Sequence, residues 1–597
     1  MTSRARASFV GLIFLALNAT DAGSEATSLQ DIAKSFSPAP QAVIYIAKDI
    51  ITMDPDKPRA EAVAVVGDKI LAVGTREKLE SLLGDQPFRI DETFEDKVLV
   101  PGLIDQHLHP WLAALTMTSE VIAIEDWDLP NGKIPGARDK AEYLARLVVA
   151  ERALEDPKEP LVTWGFHDLF HGELTRSDLD AINPDRQIVV WHRSGHEFIL
   201  NTKAMEENSV TKEFIATLTE SAKAQSDFER ARFWEQGALL GVLPKIAHLI
   251  ATPERMREGL ELTESYLHQA GVTTAAEPGG LVSKPLQDAT NSVFSDDDTP
   301  FRFYFIPDGK TMAQTYITKD GVGPIIEKTE ELLDWGEGKT AFLPKQVKLL
   351  ADGAIFSQLT KMKDGYLDGH EGEWIIDPDV FAQAFRAYWD AGYQIHIHQN
   401  GDEGLAFVLD NLEANMRRNP RNDHRTTIVH FGYSSARQIP RIKALGAIVS
   451  ANPYYLTALS DKYGKVGVGP ERSDYISRVG DVVDQGIPLS LHSDMPMAPS
   501  KPLFLMWSAV NRTTPSGRVA GPDQKLSVEE ALKAVTIGAA HSIRLEDEIG
   551  SIEPGKRANF TVLEESPFDV DPMKIKDIGI WGTVLEGRTQ PIQRKAE

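Results

Sequence analysis

The chain has 597 residues, of which 42% are hydrophobic, and this composition is typical of a folded protein rather than a disordered one. Its formal net charge of −25 argues against nucleic acids and anionic membrane surfaces as partners. The sequence contains no cysteine, which excludes disulfides, thiolate metal sites and cysteine nucleophiles. Any bound metal must therefore be held by His, Asp, Glu or a modified Lys.

Residues 1–22 have the pattern of a signal peptide. Arg4 and Arg6 precede a short apolar run, FVGLIFLA at 9–16, and small residues near the end of the segment fit a cleavage site. The apolar run is too short to span a bilayer. We therefore expect export to the periplasm or beyond, and a Pro/Ser-containing linker over 23–41.

Strand patterns occur at both ends of the remaining chain. The segment AVIYIAKDIITM begins at Ala42, and Gly67–Asp68 marks a hairpin turn in AEAVAVVGDKILAVG. Near the C-terminus, IGSIEPGKRANFTVLEES and WGTVLEGRT have the same short-strand character. We expect 42–97 and 545–597 to pair into one composite β-sandwich.

Between these ends, apolar strand patterns alternate with helical patterns, several of which end at glycine. The predicted strands are 98–109, 272–280, 301–307, 346–355, 393–400, 426–434, 447–455 and 487–494. This alternation predicts the α/β class and a (β/α)8 TIM-type barrel over 98–544. The stretch 111–265 is too long for an ordinary connection and predicts an insertion subdomain after barrel strand one.

Potential metal ligands fall at or near the carboxyl ends of these predicted strands, where barrel active sites collect. His107 and His109 are two residues apart, so on a strand both imidazoles would face one ion. A lone His-x-His is weak evidence, but further candidates follow on predicted strands four, five, six and eight. They are Lys348, His398, His430 and Asp494.

The motifs PGLIDQHLHP, VKLLADGAIFS, HIHQNGDEG, IVHFGYS and LHSDMP occur in this order. They resemble the metal-dependent amidohydrolase superfamily, and within it the YtcJ-like branch, which includes N-substituted formamide deformylases. The resemblance runs from about residue 42 to the C-terminus. It implies the barrel with its sandwich and insertion, and an enzyme that hydrolyses an amide-like C–N bond of a small molecule with a metal-activated water.

The resemblance also implies which residues bind metal. His107 and His109 would hold the more buried ion, His398 and His430 a second one, and Asp494 would bind metal and transfer the proton as the catalytic residue. Zinc is the expected ion, in one or two copies, although iron, manganese or cobalt would suit similar ligands.

Lys348 matches the position of a carboxylated lysine in binuclear family members. A carbamate there would bridge two cations, whereas a bare ammonium would be repelled by them. The alternative is an ordinary ion pair with Asp352. His196, in SGHEFILN, matches a glycine-histidine motif of the family, which implies either a substrate contact or a structural hydrogen bond.

Other residues are secondary candidates. His492 would support Asp494 from two residues away, and either Tyr454 or Tyr455 would line a pocket or pack at the end of strand seven. Gln399-Asn400 departs from the Ala-Ile pair that is usual in the family and raises a question about the substrate. Three histidines are expected on the insertion surface: His167, His171 and His192.

Competing functions remain open from the sequence. The same site would suit hydrolysis of an ester or lactone, or deamination, and a non-catalytic protein that binds metal or a small molecule is the alternative of a different class. The oligomeric state is also open, with a homodimer the form that family members often take.

Overall fold

The computed structural model describes residues 41–280 and 282–593. The predicted signal peptide, 1–22, and nearly all of the predicted linker, 23–41, lie outside these residues. Among the helices of the described segments, none has the length and apolar character needed to cross a membrane.

Residues from both ends of the described chain form one seven-stranded sheet. In spatial order its strands are Arg588–Pro591, Ile580–Leu585, Phe560–Leu563, Phe88–Pro101, Ala42–Ile51, Arg59–Val66 and Lys69–Gly74. The long strand Phe88–Pro101 pairs in parallel with Ala42–Ile51 and antiparallel with Phe560–Leu563. Strands from the two ends of the described chain therefore pair in one hydrogen-bonded sheet, which Phe88–Pro101 joins.

This sheet buries apolar side chains on both faces. Tyr45 and Val63 pack in one apolar cluster, whereas Ile44 and Ala62 pack in another beneath the helix Arg76–Leu83. Successive residues of a strand point to opposite faces, so the near-continuous apolar runs require cover on both sides.

Eight parallel strands form the central unit, in a TIM-barrel-like α/β arrangement. They are Leu103–Asp105, Val272–Gly280, Arg302–Pro307, Gln346–Leu350, Gln394–Gln399, Thr427–His430, Ile448–Ala451 and Leu489–Leu491. The first three hydrogen-bond in one sheet with an extra strand, Thr340–Phe342, and the last five form a second sheet. Within the described residues, the two sheets are joined by isolated bridges, Asp308 with Lys348 and Leu108 with Met495, and no continuous ladder there closes the predicted barrel.

Helices connect these strands and cover them from outside. They are Lys284–Phe294, Gly309–Tyr316, Ile325–Glu330, Pro378–Asp390, Asp402–Arg418, Ile439–Leu445, Tyr454–Val466, Pro470–Asp474, Val479–Asp484, Pro502–Asn511, Val528–Ala534 and Ile537–Ser542, with short 3-10 helices at Glu331–Trp335, Ile355–Ser357, Pro522–Gln524 and Pro572–Asp577. The helix Pro378–Asp390 shows why they pack: Phe381, Ala384 and Phe385 recur at helical spacing and are buried.

The segment between the first two barrel strands, which includes the predicted insertion at 111–265, carries its own six-stranded sheet. In spatial order its strands are Ser226–Asp227, Arg232–Trp234, Glu197–Leu200, Ile188–His192, Leu161–Phe166 and Glu120–Val121. Its helices are Pro110–Met117, Lys140–Ala153, Asp168–His171, Arg176–Ile182, Thr202–Glu207, Lys212–Ala216, Glu220–Ala224, Leu243–Ile250 and Pro253–Gln269, with a π-helix at Gly237–Val242. Two small hairpins, Trp127–Leu129 with Gly132–Ile134 and Ile317–Thr318 with Gly321–Val322, complete the described strands.

The terminal sheet contacts the barrel at the amino ends of its first strands. Thr561 accepts a hydrogen bond from the backbone N–H of Leu103 at 3.0 Å and donates one to the carbonyl of Gly271. These bonds satisfy buried backbone groups that would otherwise lack partners. The opposite, carboxyl ends of the strands are left for the insertion and the site.

Candidate active site

The residues predicted to bind metal gather at the carboxyl ends of the barrel strands. Lys348 and His398 lie within the fourth and fifth strands, and His430 is the last residue of the sixth. His107, His109 and Asp494 come after their strands have ended, at residues 105 and 491, and not on them as predicted. The loop that carries Asp494 is held by its backbone N–H, which donates to the His107 carbonyl at 2.8 Å.

Three of these side chains converge on one point. Asp494 Oδ1 lies 3.3 Å from His107 Nε2 and 3.2 Å from His109 Nε2, and Asp494 Oδ2 lies 3.5 Å from His430 Nδ1. In a tetrahedral zinc site with bonds of about 2.0 Å, neighbouring ligand atoms are about 3.3 Å apart. The spacing of His107, His109 and Asp494 therefore suits one divalent cation.

The charge states of the histidines also suit a metal. Burial holds the pKa of His107 and of His430 well below its usual range, so both rings are neutral and offer lone pairs. Burial opposes the charged form of His109 as well, but hydrogen bonds to Asp494 and Glu277 raise its pKa to about 9. A cation bound at His109 Nε2 would displace that proton.

Two of these residues are held in a conformation that is rare for anything but glycine. His430 has a φ of 72° and Asp494 a φ of 58°. Such backbone strain costs about 1–3 kcal/mol per residue and is concentrated at functional sites. The fold therefore maintains the directions of these two side chains at a cost in stability.

His398 and Lys348 lie beside this cluster and not within it. The His398 ring packs edge-on against the His430 ring at 4.4 Å between centroids, and its Nε2 faces the Asn400 amide nitrogen at 3.0 Å. Lys348 Nζ is buried with no hydrogen-bond partner in the described structure, and burial lowers its pKa to about 7. Asp352, the other partner considered for Lys348, instead accepts backbone N–H bonds.

His492 belongs to the site, but its contacts differ from the predicted support of Asp494. Its Nε2 lies 3.2 Å from His430 Nδ1, its Nδ1 lies 2.9 Å from Ser450 Oγ, and its ring stacks on that of His107 at 4.5 Å. The nitrogens of these three histidines lie close enough together to hold an ion. His492 is therefore a further candidate ligand that the family motif did not indicate.

Tyr455 and Glu277 also reach the site; the sequence named Tyr455 only as one of two tyrosines that would line a pocket or pack, and it did not identify Glu277. Tyr455 is the second residue of the helix Tyr454–Val466 and does not end a strand, and its hydroxyl donates to Asp494 Oδ2 at 3.2 Å. Glu277, at the carboxyl end of the second barrel strand, lies 3.3 Å from His109 Nδ1 and accepts from Trp111 Nε1 at 3.1 Å. Its place at a strand end was the available signal.

The insertion contributes His196, whose Nδ1 lies 3.0 Å from Glu235 Oε2. The three insertion histidines that were expected on the surface, His167, His171 and His192, are instead buried. At least one ring nitrogen of each has a hydrogen-bond partner, which offsets part of the cost of burial: His171 bonds the Ala137 carbonyl, His167 the Tyr463 hydroxyl and His192 the backbone N–H of Ser194. Two of them, His167 and His192, flank Asp168, which also pairs with Arg232.

Comparison with known proteins agrees with this geometry. The family model described as "Amidohydrolase family" matches residues 95–590. Similar curated proteins include Protein LONG AFTER FAR-RED 3 of Arabidopsis thaliana, 26% identical over 87% of this chain and 86% of its own length. N-substituted formamide deformylase of Arthrobacter pascens is 24% identical, over 91% and 97%. Putative amidohydrolase YtcJ of Bacillus subtilis is 23% identical, over 90% and 97%.

Among solved structures, an uncharacterized metal-dependent hydrolase from Pyrococcus horikoshii shares the fold, with a TM-score of 0.66 and 20% identity over 89% of this chain and 99% of that one. The relatives extend over most of the chain, and the predicted YtcJ-like branch is confirmed by them. The chain therefore belongs to the amidohydrolase family, which confirms the sequence-based prediction of a metal-dependent hydrolase that acts on carbon–nitrogen bonds.

Proposed function

We propose that this chain is an exported amidohydrolase that cleaves an amide-like C–N bond of a small molecule with a metal-activated water. The observation that carries the proposal is the convergence of His107 Nε2 and His109 Nε2 on one oxygen of Asp494, at 3.3 and 3.2 Å. The similarity to a protein named N-substituted formamide deformylase supports an amide substrate. The signal-peptide pattern at 1–22 supports export, and cell fractionation tests it.

His107, His109 and Asp494 would hold the first divalent cation, for which zinc suits the ligand set of imidazoles and one carboxylate. A bound cation supplies Lewis acidity, which makes water acidic enough to act as a nucleophile near neutral pH. Asp494 accepts the proton of the attacking water and then donates it to the leaving nitrogen. Tyr455 orients Asp494 through its hydrogen bond to Oδ2, and Glu277 orients the His109 ring.

A second ion would use His398, His430 and Lys348. Burial lowers the pKa of Lys348 to about 7, so much of its amine is neutral at physiological pH. A neutral Nζ amine would add to carbon dioxide, and the nitrogen would then lose a proton. The product is an anionic carbamate, which would serve as a bridging ligand. The Asn400 amide is hydrogen-bonded to His398 Nε2, so this amide must turn away before that nitrogen can bind a second ion. Binding of the first ion requires no such movement.

His196 is proposed to contact the substrate. Its side chain is 28% exposed, whereas Lys348 and His430 are buried, and its neighbour Gly195 lies beside Met497 in the loop that carries Asp494. Its Nδ1 is taken by Glu235, which leaves Nε2 for a ligand.

The test combines metal analysis of the purified protein with a panel of N-formyl and N-acyl amines and their matching esters. We expect metal-dependent hydrolysis of amides. Asp494→Asn should abolish turnover while metal remains largely bound, because both histidines of the first ion are kept. Full activity in this variant, or no loss of activity after metal removal, would refute the proposal. Preferential ester cleavage would point to a different bond.

A further inference from the structure

Glu235 binds His196 at the carboxyl end of the barrel, which we call the mouth of the site. His196 and Glu235 are brought together by the pairing of Glu197 with Trp234, and the Glu235 backbone N–H donates to the His196 carbonyl at 2.9 Å. Glu235 is 9% exposed and has a φ of 42°, a left-handed conformation that is rare for a residue with a side chain. The carboxylate is therefore fixed in place, with one oxygen bound to His196 and the other, Oε1, buried without a hydrogen-bond partner in the described structure.

Neighbouring contacts place this pair over the carboxyl end of the barrel. A Cβ on Gly195 would lie 3.5 Å from Met497 Cε, and the Met497 backbone N–H donates to the Asp494 carbonyl at 2.7 Å. The residue next to His196 therefore lies against the loop that carries Asp494, on the side of the barrel where the predicted metal ligands are.

A second carboxylate lies next to this pair. Glu373 accepts from Gln225 Nε2 at 2.6 Å, and Gln225 Oε1 accepts from the backbone N–H of Gln236, the residue after Glu235. The carbonyl of Glu373 accepts from Gly353 just beyond the fourth barrel strand, at 2.9 Å. Burial, and next the charge of Glu235, raise the pKa of Glu373, as expected for two carboxylates in one region.

Glu277 adds a third carboxylate beside His109. We call Glu235, Glu277 and Glu373 the mouth carboxylates. Lys361, whose charge lowers the pKa of Glu373, also lies 4.0 Å from Glu371. The nearby Arg232 already pairs with two other carboxylates of the insertion. Three carboxylates therefore lie around the carboxyl end of the barrel, and the two nearby cations are shared with other carboxylates.

We propose that the mouth carboxylates select substrates by charge, so that uncharged or cationic amides enter and amides with a carboxylate near the scissile bond are excluded. This inference rests on the proposed function, since it concerns the substrate of the same site. Two like charges about 8–10 Å apart at an effective dielectric constant of about 20 repel by an amount equal to about a tenfold change in affinity or more. One carboxylate at that range is enough to discriminate measurably.

The experiment uses the full chain loaded with zinc and three para-substituted benzohydroxamates, which bind a metal through the same chelating group. The substituents are trimethylammonium, methyl and carboxylate, and Kd is measured by isothermal titration calorimetry. We expect the cationic compound to bind at least about tenfold more tightly than the anionic one. Equal Kd values for the three compounds would overturn the proposal.

Variants assign the effect to its residues. Glu373→Gln and Glu235→Gln should each raise the ratio of the cationic to the anionic Kd severalfold, toward one, while the Kd of the neutral methyl compound changes little and reports an intact site. Glu371→Gln, at a side chain that is 85% exposed, is the matched control and should leave the ratio unchanged. A ratio that stays at the wild-type value in both test variants overturns the assignment. Failure of the proposed function would be seen separately, as an absence of hydrolysis in the amide panel.

Discussion

Replacement of Tyr455 by Phe removes one hydroxyl from the site and little else. That hydroxyl donates to Asp494 Oδ2 at 3.2 Å, and the side chain is 2% exposed, so water does not replace the lost bond. A hydrogen bond to a charged group contributes about 1.5–3 kcal/mol, which corresponds to a loss of about tenfold to 150-fold in kcat/KM. Burial holds the pKa of Tyr455 well above its usual range, so the loss should be the same across neutral pH.

The adjacent tyrosine provides a matched control. The Tyr454 hydroxyl lies 3.3 Å from Arg193 Nη2 in the insertion and has no bond to Asp494. Tyr454→Phe should therefore change kcat/KM much less than Tyr455→Phe, measured with an amide that the panel shows to be hydrolysed. Metal content is determined for both variants. Wild-type kcat/KM in Tyr455→Phe would refute the orienting role that we assign to this hydroxyl.

Three further predictions concern stability and metal content. Burial lowers the pKa of His171 to about 4 in the folded chain, against about 6.5 when unfolded, so the unfolded chain binds the proton first. The free energy of unfolding should fall by up to about 3 kcal/mol as pH drops from 6.5 to 4, and urea denaturation of His171→Gln should show a flatter pH dependence there. Lys348→Met should bind one zinc with or without bicarbonate, whereas wild type should gain a second with bicarbonate; equal stoichiometry in both proteins would contradict the carbamate. Gly259→Ala should lower the free energy of unfolding by about 1–3 kcal/mol, because its Cβ would overlap the Ala114 carbonyl, and an unchanged urea midpoint would argue against this close helix contact.

The barrel strands could be predicted because each is an apolar run bounded by polar residues, which is a local signal. The predicted strand 272–280 matches Val272–Gly280, and the others are placed correctly although shorter. The pairing of the two chain ends was also predictable from strand character, but their arrangement as one sheet was not. It depends on Phe88–Pro101 being long enough to pair with strands from both ends.

The site was predictable only where a motif named its residues. His107, His109 and Asp494 lie together as the resemblance implied. Tyr455 was named only as a pocket or packing candidate, and its contact with Asp494 was not predicted, because that contact depends on a helix starting where a strand was predicted to continue. The burial of His171 depends on packing within the insertion, where no local pattern separates a buried imidazole from an exposed one.

The hydrogen bonds of Thr561 constrain the order in which the chain can fold. Its partners, Leu103 and Gly271, are 458 and 290 residues earlier in the sequence. Contacts of such high sequence separation slow folding, because a long loop must close before they form. The first barrel strand therefore cannot form this hydrogen bond until nearly the whole polypeptide has been synthesised. The amino ends of the first barrel strands acquire these bonds only after the strand Phe560–Leu563 has been made.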